Sequence, residues 1–261
     1  MIATRQPQQD EQDLTPNKNG SQCGTCPHRA DRLATGRCKP GDICVKAMSG
    51  RQIERFFRVN PDLADDYAGD DFWERRAIAA RYLSQKRLLS MLNDPDEVVR
   101  RVLAYRLPVD ALEALVSDTD REVRITVADR LPAEKLEQMA DDSDYLVRHY
   151  VAKRLPAGRL FRLIVDEDRE VRKTVAKRLP PESLGLMLND PEPEIRLQVA
   201  ERIDPAHLTA LLHDTDWRVR LTVATRAPME MLARLAEDED EDVAAVARAR
   251  LDDMGGEETA W

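Results

Sequence analysis

Asp166 to Asn189 reads DEDREVRKTVAKRLPPESLGLMLN, and the pattern D-x-D-x-x-V-R-x-x-V-A-x-R-L-P-x-x-x-L-x-x-L-x-x recurs along the chain every 24 residues. Its register restarts at Asp94, Asp118, Asp142, Asp166, Asp190, Asp214 and Asp238 without an insertion. A fixed period of this length marks a solenoid. One unit is too small to bury its own apolar face, so neighbours stack into a continuous core and leave an outer surface for partners. That architecture points to binding more than to catalysis.

With the first Asp counted as position zero, position five is Val99, Val123, Val147, Val171, Ile195, Val219 and Val243. Position nine is Leu103, Val127, Val151, Val175, Val199 and Val223, and position thirteen is Leu107, Leu131, Leu155, Leu179, Ile203, Ala227 and Leu251. Steps of four and four make a helix stripe, not strand alternation. The acid at position two (Asp96, Asp120, Asp144, Asp168, Asp216 and Asp240, with Glu192 substituting) suits a helix N-terminus. Proline at position fourteen (Pro108, Pro132, Pro156, Pro180, Pro228) ends the helix. Beyond it, positions 18 and 21 carry pairs such as Leu160 with Leu163 and Leu184 with Met187, and only a short second helix fits, 3₁₀ or α.

The register extends one unit backwards, where Arg76, Ala80, Leu83, Leu88, Met91 and Leu92 hold their positions. Residues 70–251 are therefore expected to form the array, with 252–261 as a polar tail, 21–69 as a cysteine domain and cap, and 1–20 as a disordered arm. Ile53, Phe56, Phe57, Tyr67, Phe72 and Trp73 concentrate the aromatics between cysteines and array, as a cap over the open apolar end of a solenoid requires.

Cys23, Cys26, Cys38 and Cys44 are the only cysteines in the chain. The N-terminus lacks the apolar core of a secretory signal and no stretch has the length of a membrane span, so a cytoplasmic protein is expected. There, closely spaced thiols bind metal more often than they form disulfides. The spacing C-x₂-C-x₁₁-C-x₅-C matches neither a zinc ribbon nor the bacterial ferredoxin run, and leaves zinc and iron both open. Arg29, Arg32, Arg37, Lys39 and Lys46 could offset the charge of four thiolates around either metal. Competing readings are a redox C-x-x-C at Cys23 and Cys26, which lacks a strand-helix-strand context, and a structural disulfide pair. His28 lies close enough to replace a ligand but is expected to be solvated, because four thiols complete a set.

The D-x-x-V-R-x-x-V-A-x-R-L-P repeat resembles the leucine-rich repeat variant family, and with the N-terminal cysteines the chain is similar to that family's iron–sulfur proteins from nitrogen-fixing bacteria. The resemblance spans Cys23 to about Leu251. It implies an all-α, right-handed superhelical solenoid alternating α and short 3₁₀ helices, preceded by a small domain holding a [4Fe–4S] cluster on Cys23, Cys26, Cys38 and Cys44, with structural zinc as the alternative. The prolines missing at Ser84, Asp204 and Asp252 put single turns in doubt, not the architecture.

Residues 1–60 carry a net charge of +4 and the remainder −13, together the chain's −9. An acidic scaffold argues against general nucleic-acid affinity. The strongest feature in its favour is a double ladder: Arg76, Arg100, Arg124, Arg148, Arg172, Arg196 and Arg220 at position six, and Arg106, Arg130, Arg154, Arg178, Arg202, Arg226 and Arg250 at position twelve. A structural role is preferred, with position six in i,i+4 pairs such as Asp168–Arg172 and position twelve satisfying terminal helix carbonyls.

No catalytic centre is visible. His28, His149, His207 and His213 occupy unrelated positions, and there is neither a phosphate loop nor a nucleophile elbow. The expectation is a non-enzymatic protein-interaction scaffold with a redox-active or redox-sensing module. The alternatives are a ferredoxin-like carrier for a docked partner and a nucleic-acid-binding repeat protein. Partner recognition is expected at exposed residues that vary between repeats, such as Tyr145, Arg169 and Trp217 at position three.

Overall fold

The computed structural model describes residues 23–255, so the arm expected over 1–20 and the end of the tail lie outside the described residues. These residues are helical, with no strand among them beyond an isolated bridge between Lys39 and Ile43. The chain divides between Thr126 and Val127 into two compact units. None of the described helices is long and apolar enough to cross a membrane.

In the first unit, α1 (Gly50–Val59) is followed by a 3₁₀ helix (Pro61–Tyr67), α2 (Trp73–Ala79), α3 (Gln85–Leu89) and α4 (Glu97–Arg106). Ile53, Phe56, Phe57 and Tyr67 are buried between α1 and the 3₁₀ helix, with Phe57 edge-on to both Phe56 and Tyr67. That is the cap expected from the aromatics, except that Trp73 is 39 % exposed and Phe72 is only half-buried, under the guanidinium of Arg75.

The repeat unfolds its logic in both units. The ten-residue helices, from α4 through α5 (Arg121–Arg130), α6 (Tyr145–Arg154), α7 (Arg169–Arg178) and α8 (Pro193–Arg202) to α9 (Trp217–Arg226), occupy positions three to twelve. From the repeat at Asp94 onward, positions five, nine and thirteen are buried except for Leu251 at the last position thirteen, and the alanine at position ten (Ala104, Ala128, Ala152, Ala176, Ala200, Ala224) is fully so. A methyl group there lets successive helices approach closely. The position-two aspartate caps the helix as expected; Asp144 accepts from Leu146 N at 2.8 Å and Asp168 from Glu170 N at 2.8 Å, whereas Glu192 makes no such bond.

Proline at position fourteen pushes the residue before it out of helical geometry, and Leu155 and Leu179 stand at φ −54 ψ 138 and φ −57 ψ 140. The chain then makes a seven-residue 3₁₀ helix, as in Ala157–Leu163 and Pro181–Met187. Only α10 (Met229–Leu235) is α in that place among positions 15–21 of the described repeats after Asp94. The turns without proline survive by side-chain capping, Ser84 accepting from Arg87 N and Asp204 from Ala206 N. Asp252 has no such effect. The final helix, α11 (Glu241–Gly255), runs past Leu251, where the fold was expected to stop, because neither proline nor a cap interrupts it.

The arginine ladders correct the expected pairing. Six position-six arginines, Arg76, Arg100, Arg148, Arg172, Arg196 and Arg220, pair outside their own helix and reach the position-zero aspartate of the next repeat, as in Arg148–Asp166 at 2.8 Å, Arg172–Asp190 at 2.8 Å and Arg196–Asp214 at 2.7 Å. The same guanidinium donates back to the position-zero carbonyl of its own repeat, Arg172 Nη1 to Asp166 O at 2.8 Å. The aspartate in turn accepts the backbone N–H two residues on, Asp190 from Glu192 N at 2.9 Å. Each pair therefore ties one repeat to the next through a planar, two-pronged contact. The position-twelve arginines also act between repeats. Arg178 donates to Ala152 O and Leu155 O, both at 2.7 Å, in the preceding repeat. The Ala152 carbonyl would otherwise look to position fourteen, where Pro156 has no N–H to give.

Candidate metal centre

The cysteines are delivered by three short pieces of the first unit. Cys23 opens a 3₁₀ turn (Cys23–Thr25), and Cys26 follows it, its N–H donating to Cys23 O. A π-helical turn (Arg29–Leu33) then leads to Gly36, whose φ of 71° is the left-handed geometry glycine accepts without strain. Cys38 N returns to Arg32 O at 3.0 Å. Lys39 and Ile43 exchange backbone bonds across a tight turn holding Gly41 at φ 79°, and Cys44 follows with its N–H on Gln52 O at 3.3 Å.

These turns bring all four sequence-predicted cysteines to one small hollow, partly open to solvent, which Arg29, Leu33 and Lys46 also line. All four are free thiols; Cys38 and Cys44 are buried, Cys23 and Cys26 half-buried. Burial pushes the Cys38 thiol up to about 11, with the neighbouring Cys44, Cys26 and Cys23 adding to the effect. Burial raises Cys44 too, opposed by the Lys46 and Ala47 N–H groups that donate to it. Of the five cations expected to offset thiolate charge, only Arg29 and Lys46 line the hollow. Arg32 is held away by Asp31 at 3.1 Å and Asp62 at 2.7 Å. Arg37 and Lys39 flank Cys38 and are exposed.

His28 is not solvated. It is 8 % exposed, packed against the Phe56 ring, and its Nε2 lies 2.8 Å from the Tyr67 hydroxyl. Burial lowers its pKa, outweighing Asp31 and Asp66, so it stands as a neutral ring. Burial raises Tyr67 as well, so its hydroxyl keeps its proton. Asn60, fully buried at the end of α1, donates through Nδ2 to Arg37 O at 2.9 Å and to Phe56 O at 2.9 Å. His28 and Asn60 thus fasten the loops before Cys38 and after Cys26 to the cap. Sequence reasoning missed both; the one available signal was a histidine and an asparagine next to structure-breaking prolines in a segment otherwise rich in core aromatics.

Comparison with known proteins agrees with this division of the chain. The family description "LRV protein FeS4 cluster" matches residues 19–66, and "Leucine rich repeat variant" matches 121–144, 169–192 and 217–240. A protein of Rhodobacter capsulatus, described as an uncharacterized 27.7 kDa protein in the nifB 3' region, is 42% identical over 87 residues, 33% of this chain and 35% of its own length. The chain thus matches about a third of that curated relative. A solved structure described as a leucine-rich repeat variant with a novel repetitive protein structural motif is 59% identical, with a TM-score of 0.77 over 88% of this chain and 98% of that one. With that identity over nearly the whole of a solved relative, and a cysteine module ahead of repeats in one register, the chain belongs to the leucine-rich repeat variant family and is an iron–sulfur repeat protein within it.

Proposed function

We propose that Cys23, Cys26, Cys38 and Cys44 together ligate one [4Fe–4S] cluster, and that the repeats are a protein-interaction scaffold for which this module is the redox-active or redox-sensing part. The observation that carries the reading is that the chain's four cysteines, from three separate turns, line a single hollow as free thiols. Zinc, the alternative, holds each sulfur at about 2.3 Å around one point. The likeness of residues 19–66 to an FeS4 cluster family, with four thiols and no histidine ligand needed, favours iron.

Such a cluster, when bound, supplies one-electron chemistry whose potential follows charge, hydrogen bonds and solvent access. The chain sets each of these: Arg29 and Lys46 bring positive charge, the Lys46 and Ala47 N–H groups reach Cys44, and burial of Cys38 and Cys44 keeps water from one side. No catalytic step is assigned, and a reducing, cytoplasmic setting goes with the reading.

A protein partner is favoured over nucleic acid because the position-six guanidiniums are already engaged; those of Arg148, Arg172 and Arg220 are buried against aspartates. Tyr145, Arg169 and Trp217 at position three are exposed and differ between repeats, as recognition residues do. A ferredoxin-like carrier is the second reading, favoured by the half-exposed Cys23 and Cys26. The test is anaerobic affinity capture with loaded protein, a cluster-free Cys38→Ser form and Trp217→Ala. A defined partner bound by the loaded form and weakened by Trp217→Ala is expected. Equal capture by all three would contradict both the module's role and the assigned surface.

A further inference from the structure

The hollow shared by the cysteines has an open edge on the side of the half-exposed Cys23 and Cys26. Arg29 and Lys46 border it beside Leu33, and a shallow groove next to Cys26 extends its apolar surface through Pro27, Ala30 and Ala34. Both carboxylates of the cysteine segment are engaged elsewhere, Asp31 with Arg32 and Asp42 with Arg55. Arg29, Arg37, Lys39 and Lys46 have no carboxylate partner among the described residues. The edge is therefore apolar at its centre and cationic at its rim, the division found in protein interfaces.

We infer, on the reading that the four cysteines hold a redox-active cluster, that this edge is the docking face for an acidic redox protein. Pro27, Ala30 and Leu33 meet its apolar centre, and Arg29 and Lys46 meet its carboxylates. The exchange served is a single electron, given by one protein and taken by the other, with no bond made or broken. Charge complementarity selects this partner: residues beyond 60 carry −13 and repel an acidic surface, whereas residues 1–60 carry +4 and attract it. With a Debye length of about 8 Å at physiological salt, the local cations decide the encounter.

The first arm of the test uses the full-length, cluster-loaded protein with a short polyglutamate peptide and a zero-length carbodiimide. Crosslinks at Lys46 and Lys39 are expected, fading as salt rises. Crosslinks confined to Lys153, Lys173 and Lys177, or a yield indifferent to salt, would overturn the assignment. Competition by duplex DNA at physiological salt would overturn it in favour of nucleic acid.

In the second arm, protein reduced with dithionite is reoxidised by hexacyanoferrate(III), a trivalent anion. The chain's net −9 makes this rate climb with salt if the molecule acts as a whole; a cationic edge makes it fall. Arg29→Glu with Lys46→Glu should reverse the salt dependence, and Arg29→Gln with Lys46→Gln should flatten it. Unchanged dependence in variants that retain full iron and sulfide would refute the docking face. A protein that dithionite cannot reduce would refute the redox reading instead, and the crosslinking arm would then decide the face on its own.

Discussion

Replacing Arg172 with alanine separates a clamp between repeats from an ordinary surface pair. Its side chain is 9 % exposed and that of Asp190 is 3 % exposed, with Nε 2.8 Å from the carboxylate and Nη1 2.8 Å from the Asp166 carbonyl. Removal of the guanidinium leaves Asp190 buried with only the Glu192 N–H to serve its charge. Breaking a buried pair from one side costs about 3–5 kcal/mol, whereas an exposed i,i+4 pair is worth a few tenths. Arg172→Lys should recover little, since a point charge reproduces neither the two-pronged contact nor the carbonyl bond. The double change Arg172→Met with Asp190→Leu should recover much of the loss, because no unpaired charge remains. Urea denaturation followed by circular dichroism supplies the midpoints, with the slope checked because repeat arrays lose cooperativity. A cost below about 1 kcal/mol for Arg172→Ala, the range of exposed pairs, would refute the clamp.

Other consequences follow from single contacts. Leu160→Ala, at a fully buried site, should cost about 2–5 kcal/mol, against about 0.5–2 for Asp168→Ala, which loses the bonds to Glu170 N and Val171 N; the reverse order in chemical denaturation would mean that the buried face is misassigned. Tyr67→Phe should cost about 1–3 kcal/mol by leaving the buried His28 without its partner, and faster hydrogen exchange in α1 would register it; unchanged exchange would contradict the anchoring role. Hydrogen bonding to Arg218 holds Asp216 down to about 2, and arginine partners hold Asp120, Asp214 and Asp238 below the usual carboxylate range against burial. Because these folded values are depressed, their stabilisation is complete above about pH 5 and is lost as pH falls towards about 2. Urea midpoints that stay constant over that interval would contradict it.

The array was legible because its evidence is repeated. Val171, Val175 and Leu179 make a helix stripe once, and six neighbouring units make the same one, so a single odd residue such as Ala227 or Asp204 cannot obscure it. The four cysteines were legible as a set because the chain contains no others. What the ladders do was not. Spacing within one helix offered Asp168 to Arg172, whereas the chosen partner, Asp190, lies 18 residues away and becomes a neighbour only after repeats stack. The capping aspartate was already committed to backbone N–H groups at its own helix start. His28 misled for a similar reason. Its burial depends on Phe56 and Tyr67, which are 28 and 39 positions distant, and no local pattern announces that contact.

Counting iron, acid-labile sulfide and zinc in protein purified strictly without oxygen decides whether the four cysteines hold one [4Fe–4S] cluster. About four irons and four sulfides per chain are expected, lost with the brown colour on Cys→Ser change at any of positions 23, 26, 38 or 44. Stoichiometric zinc without sulfide, or a full cluster in any of those variants, would contradict it.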